Sequence, residues 1–516
     1  MKFDNNHLGK LACFTAASCL FLFATDASAL DTFMVGPRAT GMAGANVASV
    51  SDTTAQYYNP AAFGFMNRQK KTEEGVEKDT KVEVDNNNLG RKTWGLDIGA
   101  GLGYRQHNEF GKYIDDLSSI DHDTLSTTGV QDKADLEQLV RLANDLQGLD
   151  DPGNAVSADA NAGLGIRMGH FAFGVRGFSQ VTAQLRSLDT IHLGLSLNGA
   201  DVATDINAVD LSATSYNTAG YTFQVFTPSQ QTQLLTALGG DTEAVQRLDY
   251  IAAQEGITST DAQGSADILS NVLNQSDGST ANDLDSNTTT VRLNGYGLLE
   301  VPVSYGYAIN DYISVGANLK FMKGRVYGNQ VLVFNNDSGD TISKTDEFYE
   351  ETDTFGVDIG IMARMNKLQA GIIGRNLNSP KFNGPTITVN SLPVPFDDVR
   401  LDPQVTAGLA FIPFETLTLE ADIDLTKNET TLADYETQNM AFGLEWDAFR
   451  FLALRCGAYK NLAESDIGWV FSAGIGLNFW AIRLDVAGQF AEEKEQFDGE
   501  DIPKESRVAG QLSIDF

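Results

Sequence analysis

Cysteine is almost missing from this sequence: three occur in 516 residues, and Cys13 and Cys19 lie in a segment that reads as an export signal, leaving Cys456 alone. One thiol forms no internal disulfide, so a disulfide-stapled scaffold is excluded. Basic charge is scarce as well. Lys and Arg total 36 against 69 Asp and Glu, a formal net charge of −33, and an acidic surface repels phosphate and gains nothing from counterion release. Nucleic-acid binding is therefore excluded. Long apolar runs end at Phe23; no later stretch approaches the roughly 20 apolar residues that a spanning helix needs. If the chain meets a membrane it does so as a closed barrel, the other structure that satisfies every backbone polar group in lipid. Proline is sparse, 12 residues against 49 glycines, with aromatics at 9%, a composition that suits many strands more than a helical array.

The first residues carry Lys2 and Lys10, an apolar run from Leu11 to Phe23, and Ala27-Ser28-Ala29. This is the layout of a secretory signal cut before Leu30. The expected organisation is a signal peptide over 1–29, an N-terminal plug over 30–92 and an all-β barrel over 93–516. From Trp94 onward about ten-residue stretches alternate apolar with small or polar positions, the period-two signature of a membrane strand. They read as Trp94 to Tyr104, Asp159 to Met168, Phe171 to Gln184, Tyr296 to Ala308, Tyr312 to Val326, Asp353 to Met365, Leu368 to Leu377, Asp402 to Ile412, Thr416 to Thr426, Gln438 to Trp446 and Phe449 to Tyr459. Three more complete an antiparallel set of fourteen. Trp469, Phe471, Ala473, Ile475, Leu477 and Phe479 share one face; Ile482, Leu484, Val486 and Phe490 follow; Val508, Gly510, Leu512, Ile514 and Phe516 close the chain.

Connections after even-numbered strands are tight, for example Gly169-His170 and Asn310-Asp311, and those after odd-numbered strands are longer. A barrel with short periplasmic turns and long external loops produces that alternation, and an even count places both termini in the periplasm. The alternative, a soluble β-sandwich, gives no reason for Trp94 and Tyr104, or Trp469 and Phe479, to mark the ends of outward faces as aromatic girdles do. The face opposite the apolar one carries Asp97, Arg167, Arg176, Asp358, Arg364, Arg375, Glu420, Asp422, Asp424, Arg455, Arg483, Asp485, Arg507 and Asp515. Charges on one face of strand interiors predict a lumen network in which Arg and carboxylate pair. Cys456 shares the outward face with Leu452, Leu454 and Ala458.

Two external loops, 105–158 and 185–291, are too long for turns. The first holds an amphipathic helical run at Leu136, Leu139, Val140, Leu142 and Leu146; the second holds helical patterns over Thr242 to Gln254 and Ala262 to Leu273. Loops of this length are functional or disordered. They read as external caps with acidic tips.

The most specific motif precedes the first strand: Pro37-Arg38-Ala39, Gly41-Met42, Gly44-Ala45, Val47-Ala48, Asp52, then Tyr57-Tyr58-Asn59-Pro60-Ala61. Small residues at this spacing with a closing Asn-Pro turn fit a compact plug. Over about thirty residues the segment resembles the plug of the long-chain fatty-acid and aromatic-hydrocarbon transporter family, and equally that of the related conjugal-transfer TraF-like outer-membrane family. It departs from both where Ala62-Phe63 stands in place of Gly and Leu, and Lys70 to Lys92 adds a charged stretch.

The transporter resemblance implies a passive outer-membrane channel for a hydrophobic small molecule such as a fatty acid or hydrocarbon. Solute would enter a groove among the long loops, pass the plug and leave sideways through the wall. Arg38, Gly41, Gly44, Asn59, Pro60 and Ala61 would hold the plug or gate, and Leu30, Phe33, Met34 and Val35 would line a lumen pocket. The other resemblance implies an envelope-assembly or conjugation scaffold that carries no solute. The partners implied are outer-membrane lipid and lipopolysaccharide, and the barrel assembly machinery through the last strand ending at Phe516.

No catalytic group, cofactor or metal is expected. His107, His122, His170 and His192 are scattered, no serine sits in a nucleophile elbow, and Gly99, Gly101 and Gly103 alternate in a strand with no helix following. The acidic clusters Asp121 to Asp123, Asp283 to Asp285 and Asn335 to Asp340 do not have the spacing of a calcium loop.

Overall fold

The computed structural model describes residues 32–66, 94–151, 153–193, 199–259, 262–274, 286–332, 348–389, 392–432, 435–479, 481–497 and 500–515. The signal segment, Leu30, Lys70 to Lys92, the Asp283 and Asn335 clusters and Phe516 lie outside these residues.

Three short helices come first: α1 (Pro37–Gly41), α2 (Ala55–Tyr58) and α3 (Ala62–Phe65). The strands then run β1 (Trp94–His107), β2 (Ala155–Met168), β3 (Phe171–Ser187), β4 (Thr290–Ala308), β5 (Ile313–Leu332), β6 (Tyr349–Met365) and β7 (Leu368–Arg375). Next come β8 (Lys381–Phe382), β9 (Thr386–Val389), β10 (Leu392–Pro395), β11 (Val399–Arg400), β12 (Gln404–Phe414), β13 (Leu417–Asp424), β14 (Asn428–Glu429) and β15 (Glu436–Thr437). The chain ends with β16 (Asn439–Ala448), β17 (Leu452–Asn461), β18 (Val470–Phe479), β19 (Ile482–Ala491), β20 (Lys494–Phe497), β21 (Glu500–Pro503) and β22 (Glu505–Asp515).

Fourteen of these strands close an antiparallel barrel in the order β1–β7, β12, β13, β16–β19, β22, with β22 returning to β1 through Gly95↔Asp515 and Leu102↔Val508. The eight short strands pair into four two-stranded ladders in the loops. Closure removes every edge, so the barrel strands pair with one another without water. The count agrees with the sequence reading. The strand lengths do not: β1 to β6 run 14 to 20 residues, while the other eight are 8 to 11. At about 3.4 Å per residue one side of the wall stands much taller than the other. Of the extra residues, Tyr327 to Leu332 are not apolar on alternate positions and the period-two signal is silent there, whereas at Thr290 to Gly295 Val291 and Leu293 do alternate with Arg292 and Asn294 and the reading began the strand too late.

Alternation sets the two faces. Ile98, Leu102, Phe173, Phe321, Phe355, Leu409, Phe442, Phe471, Val486 and Val508 are exposed outward, whereas every charged residue expected on the inner face of the described strands is turned inward, most of them buried. An oily exterior over a charged, filled interior suits a bilayer and not water. Cys456 is exposed on that exterior. No helix among the described residues is long and apolar enough to cross a membrane.

Seven further helices build a cap on the tall side: α4 (Phe110–Ser118), α5 (His122–Thr127), α6 (Lys133–Asp150), α7 (Gly199–Ala208), α8 (Pro228–Ala237), α9 (Thr242–Gln254) and α10 (Ala262–Asn274). The expected runs in α6, α9 and α10 are present. They share one core, in which Leu136, Leu139, Leu248, Ile251 and Leu269 are almost wholly buried. Asp132 opens α6 with a reciprocal capping box to Asp135, and Asp121, one of the acidic-cluster residues, caps α5 by accepting from the Thr124 amide.

A closed barrel resists detergent unfolding at room temperature. Unboiled protein is expected to migrate faster than boiled protein on a denaturing gel; equal mobility would rule out closure.

Candidate functional site in the plugged lumen and the cap

Residues 32–66 sit inside the barrel. Gly36, at φ 81°, turns the chain into α1, where Pro37 takes the first position with its preset φ and no amide proton to satisfy. Gly41 lies against the wall, where a β-carbon would come within 3.2 Å of the Gly474 backbone, and Gly44 adopts φ 100°. Only glycine fits both demands without strain. At the other end the Asn59 side chain accepts from the Ala61 amide at 3.1 Å and donates to Val47 and Ile361 carbonyls at 3.2 Å each. Pro60 packs over Gly306, Gly316 and Gly360 of the wall, and Ser314 donates to the Ala61 carbonyl at 2.6 Å. Phe63 is fully buried.

Buried charge fastens plug to wall. Arg38 donates to Glu445 from Nε at 3.2 Å and Nη2 at 3.1 Å, and also to Asn46 and Ser49. Glu445 takes a second guanidinium, Arg455, at 2.6 Å; Arg455 reaches Asp485 at 2.7 Å; Asp485 pairs with Arg483 at 2.7 Å; and Arg483 returns to the plug at Asp52, 3.3 Å away. The chain alternates sign at every step, so no member is buried unpaired. A parallel contact has no cation: Asp422 accepts the Asn46 and Val47 amides at 2.7 and 2.9 Å, and Glu420 accepts the Ala48 and Ser49 amides at 2.6 and 3.2 Å. Consecutive backbone N–H groups thus grip two carboxylates as they grip anions in binding nests.

The remaining expected network residues are placed as follows. Arg507 grips Asp159 with two nitrogens at 2.7 and 2.8 Å. Arg176 donates to the Thr53 carbonyl at 3.5 Å, Arg364 stacks on the Phe65 ring at 4.0 Å, and Arg375 on Tyr57 at 4.6 Å. Asp424 accepts from Thr406 and the Asn439 amide at 2.8 and 3.0 Å, and Arg167 is buried. Sequence reading missed Glu445 at the centre of the network, and it named Asp358 but missed Lys320, which pairs with it at 3.0 Å and with Glu300 at 3.5 Å. The signal existed: outward Phe442, Leu444 and Trp446 put Glu445 inward, as Leu319 and Phe321 do Lys320.

Two cavities matter. Between plug and wall, Phe33, Met34, Gly44, Tyr57 and Arg375 line a space of about 50 Å³, room for a few waters. Val35 instead borders a smaller space beside Gly99 and Gly163. On the outer side, where α4 and α6 meet the tops of β3 and β4, Phe110, Ile114, Leu117, Leu146, Leu185 and Leu193 enclose about 440 Å³, walled almost entirely by carbon.

One serine and one histidine meet, on the inner side of the rim and not on the outer wall. His107 Nε2 lies 3.0 Å from Ser157 Oγ and its Nδ1 is 3.7 Å from Asp466, which accepts from Tyr435 at 2.8 Å. The reason is register: Arg105 pairs with Ser157 across β1 and β2, which sets His107 beside it. Ser157 is buried inside the rim and borders neither cavity, so the group acts as a clasp that ties the 435 and 466 loops to the barrel. His170 faces the Phe63 carbonyl at 2.9 Å and His192 pairs with Asp189 at 2.9 Å. Among the described residues no group of His, Cys, Asp and Glu is placed to hold a metal ion.

A family model described as "F plasmid transfer operon, TraF, protein" matches residues 56–424. Comparison with curated proteins returns no match. Among solved structures the chain is similar to the Ralstonia pickettii toluene transporter TbuX, at 11% identity over 94% of this chain and 99% of that one, TM-score 0.44. The P. putida toluene transporter TodX matches at 10% identity over 94% and 99%, TM-score 0.44. A Pseudomonas aeruginosa FadL homologue matches at 11% identity over 95% and 100%, TM-score 0.40.

The ion chain predicts that Glu445→Gln, which leaves two buried guanidiniums facing an amide, costs plug docking about 3–5 kcal/mol. The plug should then be cleaved by added protease while the barrel stays heat-modifiable; an equally resistant plug would remove the network as its anchor. The cap has its own pH dependence. Burial pushes the Asp145 carboxyl of α6 up to about 7, with Asp116 adding to the rise and Asn144, Lys112 and Arg141 opposing it. The folded cap therefore holds a proton that the unfolded chain releases near the ordinary value of 3.8. Cap stability is greatest below that value and falls as pH rises towards 7. Hydrogen exchange in α6, corrected for intrinsic rate, should quicken from pH 5 to pH 8, and Asp145→Asn should abolish the change.

Proposed function

The chain belongs to the TraF family of the F plasmid transfer operon, and from the spaces its barrel encloses we propose that it is a passive outer-membrane channel for hydrophobic small molecules, its termini and short turns on the periplasmic side. The observation that carries this reading is the cap cavity. About 440 Å³ of carbon-lined space falls in the range of ligand pockets, and burying an apolar guest against such walls is favourable.

Below it the plug leaves only about 50 Å³, so this conformation is closed and passage requires movement. A sideways exit is best served where the wall is thinnest. There an outward dent bordered by Ile98, Leu164 and Leu512 backs onto the inner space beside Val35, and the two share Gly99, Ala162, Gly163 and Gln511. The head of the solute is addressed by Arg375. Asp424 lines the same lumen cavity with donors already in place, whereas Arg375 Nε and Asp422 Oδ1 have no hydrogen-bond partner. A carboxylic-acid head, which can accept from the one and donate to the other, answers that pair better than a plain hydrocarbon.

The family description favours a second reading, a scaffold of a transfer apparatus with the cap as its contact surface. Proteoliposome uptake separates the two. A labelled long-chain fatty acid and a labelled alkylbenzene should both enter with the intact protein, and Leu146→Arg, which puts a charge in the cap cavity, should slow both at least tenfold. Arg375→Gln should slow the acid alone, by about 10- to 100-fold for one charged hydrogen bond. No uptake of either by the intact protein would leave the scaffold.

A further inference from the structure

The connection between β7 and β12 is a hairpin whose strands are β8 with β11 and β9 with β10. Its root is fastened to the upper part of β6. Leu377 donates its amide to the Val357 carbonyl at 2.9 Å, Asn378 bridges the Val357 amide at 2.9 Å and the Phe355 carbonyl at 2.7 Å, and the Asn383 amide reaches Thr352 at 3.1 Å. One face of the hairpin is exposed, and the other leans inward onto the lumen face of β5, where Gly324 and Gly328 stand four residues apart on the same side of the strand.

Each glycine receives a ring. A β-carbon at position 324 would fall within the Phe382 ring, and one at 328 within the Phe396 ring, so both sites exist only because the wall has no side chain there. The guanidinium of Arg292 covers Phe396 from above, 4.4 Å from its centroid. On the lumen side Phe382 and Leu401 join one apolar cluster with Phe178, Tyr296 and Met322 of the wall and Val35 and Tyr58 of the plug. The lumen is thus stacked in three layers: hairpin rings, an apolar column, then the plug.

The hairpin also has a strained root. Asn376 and Ser379 both adopt left-handed backbone, at φ 52° and 49°; asparagine takes this conformation readily, but it costs serine about 1–2 kcal/mol, and such residues collect at switch regions. Asn376 is held there by its neighbours, its amide donating to Asp358 at 2.8 Å and its side chain accepting from Lys320 at 2.6 Å.

We propose that the hairpin layer carrying β8 and β9 on one arm and β10 and β11 on the other is an outer gate of the channel, with Phe382 and Phe396 as the seals that decide what reaches the lumen: apolar solute is admitted between the rings and the glycine-bared wall, and water and ions are held out. It deepens the channel reading by naming how the mouth is regulated. A gate made of carbon on carbon opens to an apolar guest at little cost, because ring–guest contact replaces ring–wall contact. An ion gains nothing there and loses its hydration.

The test reads exposure, not transport. In a Cys456→Ala background, Met322→Cys places a reporter thiol beneath Phe382, and a charged, membrane-impermeant maleimide is added from outside to cells carrying the full-length protein. With the native rings, labelling should be slow. Two independent openings should each raise its rate at least tenfold: Phe382→Ala with Phe396→Ala removes the rings, and Gly324→Val with Gly328→Val pushes them off the wall. Heat-modifiability confirms that each variant is a closed barrel, and a pair that fails to fold leaves the other to decide. Unchanged labelling in a folded variant of either pair overturns the gate. Failure of the channel reading is a separate result: faster labelling in a protein that takes up neither probe keeps the gate and discards the solute.

Discussion

Buried charge in this barrel is neutralised across the boundary between two parts of the chain, and the rest of the interior depends on that constraint. Arg38 and Asp52 of the plug stand at the two ends of a run whose middle, Glu445, Arg455, Asp485 and Arg483, belongs to the wall. Withdrawing the plug would leave Glu445 with Arg455 alone and Arg483 with Asp485 alone, and would take Arg38 and Asp52 away from their partners. The plug is therefore a structural member of the closed barrel as well as an obstruction in it, and any movement that opens a path must keep this side of it docked or exchange its partners. The side near Phe33, Tyr57 and Arg375 carries rings and one underused guanidinium instead, and is the freer half.

The uneven rim follows from the same economy. Six tall strands support a helical cap with its own core, and eight short ones leave the opposite mouth low. A hairpin rooted on the tall wall then spans the gap inward. Apolar surface lies at the cap cavity and, as a separate cluster, between the hairpin and Tyr58, while the ion chain occupies the other flank. One barrel wall carries oil on its outside, and its lumen is divided between oil and ions.

Much of this was legible. The outward faces of β18, β19 and β22 were read residue by residue, the α9 pattern over Thr242 to Gln254 coincides with the helix, and the inward arginines are inward. What escaped reading did so for definite reasons. α8, Pro228–Ala237, is mostly Ser, Gln and Thr, and its apolar positions are too few to mark a face. The hairpin seals are two phenylalanines in a loop, and nothing near them in sequence says that Gly324 and Gly328 await them. His107, Ser157 and Asp466 meet because β1 pairs with β2 while a loop after β17 folds over both.

Strand existence, strand faces, the sign of the lumen charges and the plug motif were settled locally, because period-two alternation and the needs of a tight turn act over a few residues. Which carboxylate meets which guanidinium, where the wall stands tall, and which glycine receives a ring were decided by closure of the barrel. Closure brings β22 against β1 across some four hundred residues, and pairings at that range depend on a register that no single strand encodes.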